Sequence, residues 1–273
     1  MYARKTPLSR RSFIKYLGVA AAACPSCLAA AGLVARDGKN GIKKAGETGV
    51  NWAYEGANGP QEWGALSPQY RVCGDGSEQS PINLSVEDST HDHDLKINYH
   101  RMPLRVENSG RTIDVNCNTG SGITMDGDKF ELLQFHFHHP SEHFLEGRRF
   151  EMEAHFVHAA SDGRLAVLGV LIEIGQAHPL IADIWKSMPA TAGPERKVAS
   201  TMILPSDLLP DDRRFLRYAG SLTTPPCSQI VTWSVFRQPV TVSAEQVAAF
   251  TSLFPRNARP MQPLNRRVIS RSR

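Results

Sequence analysis

The stretch that decides the fold is Gln134–His143, "QFHFHHPSEH", the end of an apolar alternation beginning at Asp128 ("DKFELLQFHFHH"). Residues of equal parity share one face of a β-strand. Gln134, His136 and His138 therefore point one way, and Phe135, Phe137 and His139 the other. Such a strand can pack its phenyl rings on a core and gather imidazoles on its opposite side. Four of the chain's ten histidines fall in these ten residues: either a half-buried strand is simply rich in histidine, or one of its faces holds a metal.

The next strong alternation, "EMEAHFVH" (Glu151–His158), puts Glu151, Glu153, His155 and Val157 on one face and His158 on the other. The intervening "PSEHFLEGRR" is short enough for the two strands to be antiparallel neighbours. His155 then sits across from His136 and His138, and three imidazoles converge from two strands. Three neutral nitrogens suit zinc and leave a fourth position open for water. A closed structural site would need a fourth ligand, and the remaining cysteines lie in distant loops. Gln134 and Glu153 stand two residues before His136 and His155 on the same faces. There they would accept from each ring's other N–H and fix its tautomer.

Outward from this pair the same grammar continues. "LRVENS", "RTIDVNC" and "RLAVLGVLIEI" are short or alternating apolar runs bounded by turn residues, the mark of strands. Helical spacing is rarer. "HPLIADIWKSM" (His178–Met188) has a 3.6-residue period, and "SAEQVAAFTSLF" (Ser243–Phe254) opens with Ser243 and Gln246 in capping-box spacing. The expected class is mainly β (α+β), a single domain over residues 50–270 with a few peripheral helices.

With 273 residues, 41% of them hydrophobic, the chain can bury a core. Its net charge of +4 does not indicate nucleic acid. Five basic residues (Arg4, Lys5, Arg10, Arg11, Lys15) and no acidic ones precede Ala35, which leaves 26 basic against 27 acidic beyond them and no basic stripe. The amino-terminal segment itself reads as an address. "SRRSFIKYLG" (Ser9–Gly18) sets twin arginines before an apolar run, Val19–Ala35, that is too short to span a bilayer comfortably. It resembles a twin-arginine export signal (1–35), followed by a linker (36–49), and implies the export machinery as partner and a periplasmic location. A membrane anchor is the minor alternative. Cys24 and Cys27 lie inside this segment. Of the other three cysteines, two can pair in an oxidising compartment, and three pairings are open. Cys73 and Cys227 have turn-rich flanks; Cys117, at a strand end, is the candidate free thiol.

Together "NWAYEGANGPQEWG", "QSPINL", "QFHFHHPSEH", "EMEAHFVH", "LAVLGV", "GSLTTPPCSQIVTWSVF" and "RNARPMQPLNRR" resemble the α-class carbonic anhydrases, over about Asn51 to Arg267. The resemblance implies a large twisted, mostly antiparallel sheet with zinc, Zn(2+), at the bottom of a cleft. It implies reversible hydration of carbon dioxide to bicarbonate and a proton by zinc-bound hydroxide. His136, His138 and His155 match the ligands, and Gln134 and Glu153 match the residues that hold the ligand rings. Thr223 matches the residue that orients the hydroxide, and Glu142 the carboxylate that accepts the Thr hydroxyl proton. Val157, Val167, Leu222, Val231, Trp233 and Thr224 match the substrate pocket, and Tyr54 a Tyr that orders water at the mouth. Cys73 and Cys227 match the disulfide of the bacterial members.

One departure concerns protons. Arg111, in "NSGRTIDV", stands where the family often has a histidine that passes the released proton to buffer. Arg does not give up a proton in this range. Water on zinc in carbonic anhydrase has an established pKa of about 7, and recapture at roughly 10¹⁰ M⁻¹s⁻¹ then limits unaided release to on the order of 10³ s⁻¹. Buffer-dependent turnover is expected. Rival readings are a non-catalytic binding protein, which would be expected to lack a ligand histidine, and a zinc esterase.

Overall fold

Alternating strands become a sheet when one side is buried, and continuous apolar strands sit where both sides are. The computed structural model describes residues 50–85 and 89–273 of the chain; the expected export signal (1–35), with Cys24 and Cys27, and the linker (36–49) lie outside them. Eight strands carry the architecture: β1 (Met102–Asn108), β2 (Ile113–Asn116), β3 (Asp128–His138), β4 (Met152–Ala159), β5 (Leu165–Ile174), β6 (Arg196–Ile203), β7 (Phe215–Gly220) and β8 (Val231–Phe236). They lie in the order β6-β1-β2-β3-β4-β5-β8-β7 within a 13-stranded sheet whose last neighbours are the short strands Ser270–Arg271 and Ser89–Thr90.

Pairing is antiparallel except at a few seams. β5 runs parallel to β8, and also to the short strand Val240–Val242. Ser270–Arg271 and Ser89–Thr90 are parallel too. A parallel partner needs a long crossover, and residues 175–230 supply one. β5 is buried from Leu165 through Ile172, as its unbroken apolar run requires of a strand covered on both faces.

The larger core takes the even-numbered Phe130 and Leu132 from the start of β3 and, past a bulge at Leu133, the odd-numbered Phe135 and Phe137. Phe135 stacks on Phe156 at 4.8 Å, and Phe137 meets Trp185 edge-on at 4.8 Å. Trp185 belongs to α1 (Pro179–Lys186) and stacks on Phe250 of α2 (Ala244–Thr251). Each wholly buried ring is worth about 1.5–3 kcal/mol of transfer free energy. The spacing of Ser243 and Gln246 forms the expected capping box, and Gln246 also bonds the backbone of His178 at the start of α1. One residue thus caps α2 and docks α1.

Before β1 the chain makes short helical turns, Gly56–Asn58, Trp63–Leu66, Pro68–Tyr70 and Val72–Asp75, around Trp52, Trp63 and Tyr70. A disulfide between Cys73 and Cys227, with Cα atoms 5.0 Å apart, ties this segment to the loop before β8. Cys117 is a buried free thiol, pushed up in pKa by burial.

Candidate metal centre

β3 and β4 pair so that His155 lies directly opposite His136, and Glu153 opposite His138. The ring centroids of His136, His138 and His155 stand 4.5–5.3 Å apart, and one nitrogen from each lies within 4.8 Å of the others. His138 and His155 are buried; His136 is half-buried. Parity on two rigid strands brings the three together, as the alternation implies.

The other ring nitrogens are each spoken for. His136 Nδ1 donates to Gln134 Oε1 (2.9 Å), and His155 Nε2 to Glu153 Oε1 (2.9 Å). His138 Nδ1 donates to the backbone carbonyl of Asn257 (2.7 Å). A carbonyl or carboxylate only accepts, so each of these nitrogens carries the proton and its ring-mate keeps a lone pair. The lone pairs therefore sit on His136 Nε2, His138 Nε2 and His155 Nδ1. His138 Nε2 is buried and has no hydrogen-bond partner. Such an orphan costs about 1–3 kcal/mol unless something else binds it. Burial also holds His155 below the usual imidazole pKa, against the pull of Glu153, which favours the neutral ring a metal needs. Donor type, tautomers and the orphaned atom all fit zinc.

A second histidine cluster shares His155 but is closed. Glu153 Oε1 accepts from His143 Nδ1 (2.8 Å) as well as from His155, and Oε2 accepts from the backbone N–H groups of Glu142 and His143. His143 Nε2 meets the Tyr218 hydroxyl at 2.6 Å, and that hydroxyl donates on to Ser80. Burial opposes the charge on Glu153, but His143, His155 and their hydrogen bonds outweigh it and hold its pKa well below the usual range. Gly169, opposite His155 on β5, is fitted to this arrangement: a Cβ there would lie 3.2 Å from Glu153 Oε1.

Glu142 is fully buried, and its Oε1 accepts from the backbone N–H of Arg259 (2.7 Å). Its Oε2 has no hydrogen-bond partner and lies 3.6 Å from His138 Nε2 and 3.9 Å from His155 Nδ1. Thr223 is buried in the loop before β8, where Leu222 N–H donates to Ser228 and Cys227 N–H to Thr224, and Cys227 anchors the loop through the disulfide. Arg259 braces the opposite side. Its guanidinium donates to Gln79, Ser80 and the carbonyl of Cys73, and burial lowers its pKa to about 10.

The wall beside His155 is apolar. Val157, Val167 and Trp233 are successive partners across β4, β5 and β8, and Leu165 pairs with Val231. Leu222 packs against the same cluster, with half-buried Thr224 beyond it in the loop. The Trp233 ring stands 4.8 Å from that of His155. Tyr54 packs edge-on to Trp52 and Trp63. Burial, then the charge of Glu142, raises its pKa well above the usual phenol value; Arg111 opposes and Asp114 adds to the rise.

Sequence reasoning missed two supports. Asn257 holds His138 through its carbonyl, accepts from His139 N–H through its side chain, and donates from Nδ2 to the carbonyls of Arg111 and Phe137. The side-chain amide of an Asn in "RNARP" was the available signal. His143 proves to be half of the Glu153 cluster, where parity alone marks only His155 as its partner. Glu151 falls before β4 and reaches His139 instead of the imidazole cluster.

Three imidazoles converging from adjacent strands of a mostly antiparallel sheet, their lone pairs inward, make a site that could hold one metal ion. Residues 58–273 match the eukaryotic-type carbonic anhydrase family. The chain is 43% identical over 225 residues to a carbonic anhydrase of Nostoc sp., covering 81% of this chain and 85% of that one. The α-carbonic anhydrase of Thermovibrio ammonificans, solved with the inhibitor sulfanilamide, superposes with a TM-score of 0.78 at 41% identity, covering 81% of this chain and 99% of that one. A hyperthermostable carbonic anhydrase from a hydrothermal vent chimney gives 0.77 at 44% identity, covering 82% and 100%. The chain belongs to the α-carbonic anhydrase family and is an enzyme of the carbon dioxide hydration class.

Proposed function

We propose that this chain reversibly hydrates carbon dioxide to bicarbonate and a proton as a zinc enzyme, with His136, His138 and His155 as the three protein ligands. The single observation that carries the reading is His138 Nε2, a buried lone pair with no partner, turned toward two more imidazole lone pairs. When bound there, zinc supplies a Lewis acid that lowers the pKa of water to about 7, the value established for carbonic anhydrase.

The remaining chemistry is the chain's own. Gln134, Glu153 and the carbonyl of Asn257 hold the rings in the tautomers that face inward. Glu142 Oε2 has no hydrogen-bond partner, and its proposed role is to accept from the Thr223 hydroxyl. Once Thr223 donates to it, the Thr oxygen can only accept, and this orients the attacking oxygen toward the substrate. Val157, Val167, Leu222 and Val231 have no polar side-chain atom and the Trp233 N–H is already spent on the Ser221 carbonyl, which suits a small uncharged molecule; Thr224 completes the pocket edge. Tyr54 orders water at the mouth. Arg111 does not relay protons, so hydration depends on buffer.

The catalytic domain spans residues 50–270 after a twin-arginine signal (1–35) and linker (36–49), and the mature protein works in the periplasm. The Cys73–Cys227 disulfide supports an oxidising compartment. Among the described residues no helix is long and apolar enough to cross a membrane.

Stopped-flow hydration of carbon dioxide before chelation, after chelation and after zinc is returned tests the proposal. Activity should vanish and return with one zinc per chain. Activity that survives complete zinc removal would refute the metal assignment.

A further inference from the structure

We propose that the Arg111 guanidinium, held over Trp52 where that ring meets Tyr54, is a docking site for small oxyanions. Its Cζ lies 4.1 Å from the centre of the Trp52 ring, and Nη2 donates to the Trp52 carbonyl at 3.4 Å. The Arg111 backbone is fixed as well, because its carbonyl accepts from Asn257, the residue that also holds His138. Both ends of the residue are therefore placed, and ordering it on binding costs little entropy.

The cation is unspent. A guanidinium has five N–H donors, and among the described residues no carboxylate pairs with this one. Its neighbours define where it stands: its charge acts on Tyr54 together with those of Glu142 and Asp114. Its planar fork matches two oxygens of a carbonate or phosphate, and stacking on the indole face leaves the fork's edge for that contact.

The shared ligand chemistry is a small oxyanion with a proton to give or take. Bicarbonate, the product of the proposed reaction, is one source; hydrogen phosphate is the other. The role at the mouth rests on the proposed carbon dioxide chemistry, but anion binding itself does not need a metal.

The test is a titration of the full-length protein, zinc-loaded and metal-free, with bicarbonate and with phosphate at constant ionic strength, read by tryptophan fluorescence. Trp52→Phe identifies the signal of the ring beneath Arg111. A saturable change is expected in both metal states, and Arg111→Gln, which keeps a planar group on the indole, should weaken it roughly tenfold or more. Arg111→Ala should do the same, and Arg111→Lys should keep part of the affinity. Response to bicarbonate alone assigns the site to the reaction's own anion. Response to phosphate as well, with phosphate raising turnover less in Arg111→Gln than in wild type while imidazole acts equally on both, assigns it to proton carriers. Titrations identical in wild type and Arg111→Gln, or no saturable response to either anion, overturn the proposal. Loss of hydration chemistry with anion binding intact would instead count against the proposed function alone.

Discussion

Two histidine clusters share His155 and differ in one respect. In the first, His136, His138 and His155 turn lone pairs toward one another, and His138 Nε2 has no partner. In the second, His143, Glu153 and His155 lie equally close, yet the atoms that face one another are already hydrogen-bonded, in a network that runs out to Tyr218 and Ser80. Proximity of ligand-type atoms does not make a metal site. A site needs lone pairs that the fold has left unanswered, and a closed network beside it to hold them in place.

The largest expected effect separates the clusters directly. His138→Ala should abolish zinc uptake and lower hydration by about 10³-fold or more, because the Lewis acid is lost. The zinc-free fold should lose only about 1–2 kcal/mol, since an orphan leaves with the ring. His143→Ala should do the reverse, retaining zinc but costing about 3 kcal/mol by stranding Glu153 and Tyr218. Zinc content and denaturant unfolding of both variants decide it; zinc lost from His143→Ala and kept by His138→Ala would invert the comparison.

Glu153→Gln probes the shared wall. Its carboxylate serves two rings and two backbone N–H groups, so the variant should lose about 3–5 kcal/mol of stability. It should also bind zinc about 10–100-fold more weakly. A variant that kept both properties would show that the closed cluster does not support the open one.

How much of this was legible depends on what each residue uses. His136, His138, His155, Gln134 and Glu153 act through side chains on alternating strands, and period two places them. Asn257 holds His138 through a backbone carbonyl, which any residue type could supply. Glu142 and Thr223 lie 81 residues apart on loops, where no periodicity exists. Their pairing rests on the resemblance alone, and no hydrogen bond joins them: Glu142 Oε2 has no partner. The helical turns from Gly56 to Asp75 are too short to show a 3.6-residue period. The parallel seam at β5 follows from its long crossover, and "LAVLGVLI" signals only burial on both faces.

The disulfide sharpens the same contrast. Replacing Cys73 and Cys227 with serine should cost about 2–5 kcal/mol, since the bridge closes a loop spanning 154 residues. Hydration should fall more than zinc content does, because the bridge anchors the Thr223 loop and touches neither histidine cluster. Equal loss of both would place the metal ligands under its control.

The smallest effect concerns a third closed histidine. His158 is bonded to Tyr99 and to the carbonyl of Ala166, and burial lowers its pKa to about 4. The unfolded chain takes up this proton near pH 6.5, so between 6.5 and 4 it binds more protons than the folded one. Stability is complete above pH 6.5 and falls as pH drops toward 4. Between pH 7.5 and 4.5 the wild type should lose about 2.5 kcal/mol more than His158→Phe, read from denaturant unfolding at each pH. Parallel pH profiles would show that His158 titrates normally.

The most direct measurement is anomalous diffraction at the zinc edge from crystals of the zinc-loaded protein. One peak is expected, bonded to His136 Nε2, His138 Nε2 and His155 Nδ1, with Glu142 and Glu153 outside bonding distance. A peak between His143 and Glu153, a fourth protein ligand, or no peak at all would contradict it.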